Sequence, residues 1–217
     1  MFSLDTIVQG LLLGGLYALF AAGLSLVFGI MRLVNLAHGD LIVLGAYLIL
    51  GLGTATGMSP FAAALIAMPL MFALGWLLQT RLLNRVLGED ILPPLLVTFG
   101  LSVVIQNGLL AAFTADSRKL AAGPVEAASV AVGPVQMGVM PAMTLATAVA
   151  VILGLNLLFY RTALGRAFRA TSDDAVTAQL MGIRPQRIFA MATGIALVVA
   201  AIAALYLGTR ANFDPSI

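Results

Sequence analysis

The sequence predicts an all-α, polytopic transmembrane helix bundle of about six spans, with its N-terminus outside. Three observations carry that prediction. Of the 217 residues 61% are hydrophobic and only 9% are charged, whereas a soluble domain carries roughly 25% charged residues. The few charges leave long uncharged stretches at 6–31, 41–80, 91–115, 127–160 and 188–209. Lys and Arg also divide unequally between alternate connections. Such a chain cannot cover its surface with polar groups, which excludes a soluble enzyme, a nucleic-acid reader and a disordered chain. The net charge of +2 is too small to hold nucleic acid. With no cysteine there is no disulfide, thiolate metal site or thiol catalysis. The lone His38 makes no metal cluster.

A helix needs about 20 apolar residues to cross a hydrocarbon core about 30 Å thick. The first stretch gives a span near 6–30. It is too long for a signal-peptide core, and its leader, MFSLD, has no basic region. The stretch 41–80 is long enough to cross twice. Its middle, GLGTATGMSP (51–60), is rich in turn residues and divides it into spans near 41–56 and 61–80. Three more follow near 92–113, 138–160 and 188–208. Continuously apolar segments satisfy their backbone in lipid only as helices; a β-barrel strand would alternate in polarity.

Orientation follows from the basic residues. Arg32, Arg81, Arg85, Arg161, Arg166, Arg169, Arg184 and Arg187 lie in one set of connections, against Arg118, Lys119 and Arg210 in the other. The richer set is expected in the cytoplasm, which places 161–187 inside.

Two spans carry small residues at every fourth position: Gly10, Gly14, Ala18 and Ala22, and then Ala192, Ala196, Ala200, Ala204 and Gly208. Such faces let helices approach closely, either within one bundle or between subunits. No span contains Asp, Glu, Lys or Arg; polar groups within them include Gln9, Asn107 and Asn156. Proton- and sodium-driven transporters keep ionisable groups in their spans, and no Gly-Lys-Ser/Thr phosphate loop is present. Uphill transport would therefore draw its energy from another polypeptide.

Two connections carry the remaining information. In RTALGRAFRATSDDAVTAQLMGIRPQR (161–187), Thr171 or Ser172 is expected to cap a short helix with Asp173 and Asp174 in its first turn. It would stop at Gly182, with Pro185 opening the last span. Phe168, Val176, Leu180 and Met181 are then apolar groups available for docking, or for resting on the bilayer surface. In GIMRLVNLAHGDLIVLGAY (29–47), Arg32, Asn35, His38 and Asp40 mark the junction of the first two spans. Asn35 and His38 would share a helical face, and Gly39 would permit a bend. These groups form either a gate or an interfacial turn facing headgroups and water.

GLLLGGLYALFAAGLSLVFGIMRLVNLAHGD (10–40) and LGRAFRATSDDAVTAQLMGI (164–183) resemble the membrane permeases of ATP-binding-cassette importers for branched-chain amino acids. The likeness runs through essentially the whole chain. It implies a single permease domain over 1–217 in a bacterial inner membrane, with no enzyme chemistry, cofactor or metal of its own. It also implies a second related permease, two ATP-binding subunits and a periplasmic solute-binding protein as partners. The 161–187 loop would dock the ATPase through Arg166, Arg169, Asp173, Asp174, Leu180 and Gly182, and Asn35, His38 and Gly39 would line a pathway or gate. Urea and short-amide importers have related permeases, and a stand-alone channel or facilitator is the alternative from another class. Family members continue past a stretch like Asp214–Ile217, so the resemblance implies that this chain lacks the family's C-terminal spans.

Overall fold

The computed structural model describes residues 4–88, 90–132 and 135–215. Its elements are α1 (Leu4–Met31), α2 (His38–Thr56), α3 (Pro60–Arg81), α4 (Leu92–Phe113), α5 (Pro124–Ala127), β1 (Ser129–Val132), β2 (Val135–Gly138), α6 (Val139–Arg161), α7 (Ala163–Asp173), α8 (Ala175–Leu180) and α9 (Pro185–Arg210). Among the described residues six helices, α1, α2, α3, α4, α6 and α9, are long and apolar enough to cross a membrane. The all-α transmembrane architecture is therefore as the sequence predicts. The chain reverses between α2 and α3 where the turn residues stand: Gly57 closes α2 at φ 71°, and the Ser59 hydroxyl accepts from Ala62 N ahead of Pro60. One element departs from the expectation. β1 and β2 form an antiparallel hairpin, Ser129 opposite Gly138, just before α6. Gln9 of α1 donates to the Gln136 carbonyl there at 3.0 Å. Of the Asp214–Ile217 stretch, Ser216 and Ile217 lie outside the described residues.

α9 is the central post, buried over most of its length, while α4 and α6 are largely exposed. The cause is its small-residue stripe. Ala192, Ala196, Ala200, Ala204 and Gly208 are all buried, and α1, α2 and α3 pack around them. Close approach without bulky side chains lets helix backbones gain dispersion contacts that lipid cannot supply. Gly75 and Gly194 bring α3 closest: a Cβ on Gly75 would lie 2.8 Å from the Thr193 carbonyl oxygen. Beside this crossing the fully buried Gln79 accepts from the Thr193 hydroxyl at 2.7 Å. Its amide donates to Asn84 Oδ1 at 2.9 Å, and Asn84 in turn reaches the Gln186 carbonyl. The network satisfies a buried amide in an apolar setting, which otherwise costs several kcal/mol.

The stripe on α1 behaves differently. Gly10 and Gly14 are exposed, with nothing near the position of a Cβ, while the buried edge of α1 runs through Leu12, Gly15, Leu16, Leu19 and Gly23. Packing within one bundle thus holds for α9 and fails for Gly10 and Gly14. At Gly15 a Cβ would fall 2.8 Å from Leu145 Cα of α6. Gly15→Leu should therefore lower the unfolding temperature of the detergent-solubilised chain, with a loss of about 1–3 kcal/mol from overpacking. Gly14→Leu should leave that temperature unchanged. Equal melting of the two variants would contradict this assignment of faces.

Candidate functional site

α1 ends at Met31, and the next helix begins only at His38. Between them Arg32 takes a left-handed conformation, φ 52°, and residues 33–37 turn back into the bundle. The depth of the return is read from Gly23: a Cβ there would lie 3.0 Å from His38 Cε1 and 3.1 Å from the Ala196 carbonyl oxygen. Gly23 stands eight residues before the end of α1, about 12 Å along its axis. α2 thus starts well inside the bundle, and the missing side chain of Gly23 seats the imidazole.

Side chains along this re-entrant segment alternate. Leu33, Asn35, Ala37 and His38 are buried, whereas Val34, Leu36 and Gly39 face outward. Asn35 holds the turn, its Oδ1 accepting from Ala37 N at 3.1 Å and its carbonyl from His38 N at 3.2 Å. It precedes the helix rather than sharing a helical face with His38, because its side chain completes a local turn. Among the described residues neither imidazole nitrogen of His38 has a hydrogen-bond partner. Of the four polar groups at this junction Asn35, His38 and Asp40 are buried and Arg32 is exposed.

The helix beginning at His38 also carries Asp40 inside, where the sequence placed it ahead of an uncharged span. Asp40 is buried and accepts from Gln106 Nε2 of α4 at 2.9 Å. Composition alone did not single out Gln106. Its signal was an amide within an apolar span, next to Asn107, and its partner lies 66 residues away.

At the opposite end of α1 from the hairpin, two short helices follow α6. The Thr162 hydroxyl accepts from Gly165 N and opens α7. A Cβ on Gly165 would collide with the Leu158 and Phe159 carbonyls, so glycine permits the sharp α6–α7 corner. Phe168 enters the bundle, fully buried with Leu26, Val27, Ile30 and Leu33. Arg169 is also turned homeward, donating to the Phe159 carbonyl, its guanidinium 5.4 Å from the Tyr160 ring centroid.

The cap of the following helix is Asp174 rather than Thr171 or Ser172, which belong to α7 together with Asp173. Asp174 Oδ1 accepts from Val176 N at 2.9 Å and Thr177 N at 3.0 Å. The Thr177 hydroxyl and these N–H groups hold its carboxyl below the usual carboxylate range. The ionised cap is thus present at neutral pH and lost only as the pH falls below that range. Gly182 ends the turn at φ 86° and Pro185 opens α9, as the sequence predicts. Outside the bundle this leaves a small apolar tip, with Val176 70%, Leu180 83% and Met181 80% exposed. Arg166, Asp173, Asp174 and Gly182 are exposed around it. Of the six docking candidates, Arg169 and Asp174 bond within their own fold.

A cavity of about 590 Å³ opens between α1 and α6, with Ala18, Ala22, Ser25, Gly29, Asn156 and Tyr160 in its lining. Among the described residues no three His, Cys, Asp or Glu side chains gather where a metal could sit.

The sequence model described as "branched-chain amino acid transport system / permease component" matches residues 6–216. The high-affinity branched-chain amino acid transport system permease protein BraD of Pseudomonas aeruginosa is 31% identical over 223 residues, covering 95% of this chain and 71% of that protein. The permease protein LivH of the corresponding high-affinity system of Escherichia coli K12 is 28% identical over 221 residues, covering 96% and 71%. No solved structure matches at a significant level. With six apolar helices and a family match over nearly all its length, this multi-pass membrane protein belongs to the branched-chain amino acid transport system permease family.

Proposed function

We propose that the chain is the translocation subunit of an ATP-binding-cassette importer for branched-chain or other hydrophobic amino acids, in a bacterial inner membrane. The observation that carries the reading is the capped helix α8, whose Val176, Leu180 and Met181 project from the bundle with nothing among the described residues to cover them. Membership of a permease family supports an ATP-driven partner as the cover. Partner ATP-binding subunits would seat on α8, with Arg166, Asp173, Asp174 and Gly182 around the contact and Arg169 bracing the corner beneath it. A second permease would complete the pathway, and a periplasmic binding protein would deliver solute to the hairpin end.

The pathway would pass the re-entrant segment. Non-helical backbone at membrane depth is tolerated where it is buried in protein or lines a water-filled cavity. Leu33, Asn35 and Ala37 meet the first condition; Gly39, in the first turn of α2 with open space at its Cβ position, would face the pathway. His38 and Asn35 then hold the gate from behind. Alternating access needs no chemistry from this chain, only a tilt of the spans when the ATPase pair closes.

The preponderance of Arg around α7, α8 and the α3–α4 connection supports the N-terminus outside and α8 in the cytoplasm. Thiol labelling tests orientation and docking together, on a background with no native cysteine. In intact cells, Ser117→Cys should react with an impermeant reagent and Gln179→Cys should not. In inside-out vesicles Gln179→Cys should react, and should become protected once the ATP-binding subunits are added. Reaction of Gln179→Cys in intact cells would overturn the orientation; reaction undiminished by the ATPase would overturn the docking.

A further inference from the structure

The docking tip and the re-entrant segment are joined by one hydrogen bond that neither the family match nor the sequence pattern assigns. The Ser172 hydroxyl, near the end of α7, donates to the Gly29 carbonyl of α1 at 2.8 Å, across 143 residues of sequence. The last four carbonyls of a helix lack intrahelical partners. Phe28 O takes the N–H of Arg32, and Gly29 O takes Ser172. On one side of this bond, Ser172 stands two residues before Asp174, the cap of α8. On the other side, Gly29 stands three residues before Arg32, whose left-handed backbone begins the re-entrant segment. Phe168, one turn earlier on α7, packs in the same cluster as Leu33 of that segment. A cavity of about 390 Å³ beside the bond is bordered by Arg32, Ser172, Asp174 and Phe189, so the junction has room to shift.

We propose that Ser172 is a positioning residue that transmits displacement of α8 to the re-entrant segment, through the Gly29 carbonyl and the turn at Arg32. The hydrophobic cluster that Phe168 and Leu33 share keeps α7 and the segment in register, and the hydrogen bond fixes the end of α7 to the end of α1. When bound ATPase moves α8, α7 carries the last turn of α1 with it. Arg32, already outside the helical region, absorbs the change in backbone angle, and His38 moves against Gly23. The inference rests on the docking reading, and its test separates the two.

The test uses the full complex with its ATP-binding subunits and compares Ser172→Ala with Ser172→Thr, which keeps the hydroxyl. Three quantities are read: ATPase co-purification, unfolding temperature, and solute taken up per ATP hydrolysed. For Ser172→Ala ATPase co-purification should be unchanged, the unfolding temperature should fall by no more than one ordinary hydrogen bond allows, and uptake per ATP should fall about three- to tenfold. Ser172→Thr should restore most of the loss. Normal uptake per ATP in Ser172→Ala would overturn the inference and leave docking intact. Loss of ATPase binding in Ser172→Ala would also overturn it, by placing the hydroxyl on the docking surface. An unsubstituted chain that holds no ATPase would remove both readings.

Discussion

Gly75→Leu is expected to lower sharply the yield and the unfolding temperature of the folded bundle. The new Cβ would meet the Thr193 carbonyl oxygen at 2.8 Å and Gly194 Cα at 3.0 Å, both backbone atoms of α9 that no rotamer change can move. Overpacking against side chains costs about 1–3 kcal/mol. Here the helices themselves must separate, and the neighbouring bond from Thr193 to Gln79 is broken with them. The expected loss is at the upper end, about 3 kcal/mol, enough to exhaust much of the stability of an ordinary domain. Gly100→Leu in α4, where no atom approaches the Cβ position, is the matched control. Size-exclusion profiles and unfolding temperatures in detergent give the comparison. Similar profiles for the two variants would show that α3 does not cross α9 at Gly75.

Gln106→Leu should be the more damaging member of a second pair. Gln106 donates to Asp40, so its loss removes a donor from a buried carboxylate at the start of α2. Hydrogen bonds to charged groups contribute about 1.5–3 kcal/mol. Asp40→Asn removes the charge but keeps an acceptor for the same amide, so its loss should stay near the 0.5–1.5 kcal/mol of a neutral bond. The effect should appear in the attachment of α4, which buries few other side chains. Faster proteolysis or hydrogen exchange in α4 of Gln106→Leu, and little change in Asp40→Asn, is the expected pattern. The reverse order would mean that Asp40 is not held by Gln106.

What the sequence makes legible follows from how local the determinants are. Span positions depend on runs of apolar residues, and chain reversals depend on Gly57, Ser59, Gly182 and Pro185, each acting within a few residues. These were readable. The long-range contacts were not, because their partners are distant: Asp40 with Gln106, Gln79 with Thr193, Ser172 with Gly29. The two small-residue stripes look alike as sequence, yet Ala196 is buried in the bundle and Gly14 faces outward. Periodicity states which residues share a face and leaves open what that face meets. In the 161–187 loop, Asp174 displaced Thr171 and Ser172 as cap because α7 continues through them. Ser172 is thereby free to bond α1 rather than its own helix.

The direct measurement of the central claim is uptake of labelled leucine into proteoliposomes. They would contain this chain with its partner permease and ATP-binding subunits, with binding protein added on the periplasmic face. Accumulation should require ATP on the ATPase side. It should be lost in Leu180→Arg, which places a charge on the apolar tip at a side chain that is 83% exposed. Leucine that equilibrates without ATP, or accumulates equally well with Leu180→Arg, would contradict an importer driven through α8.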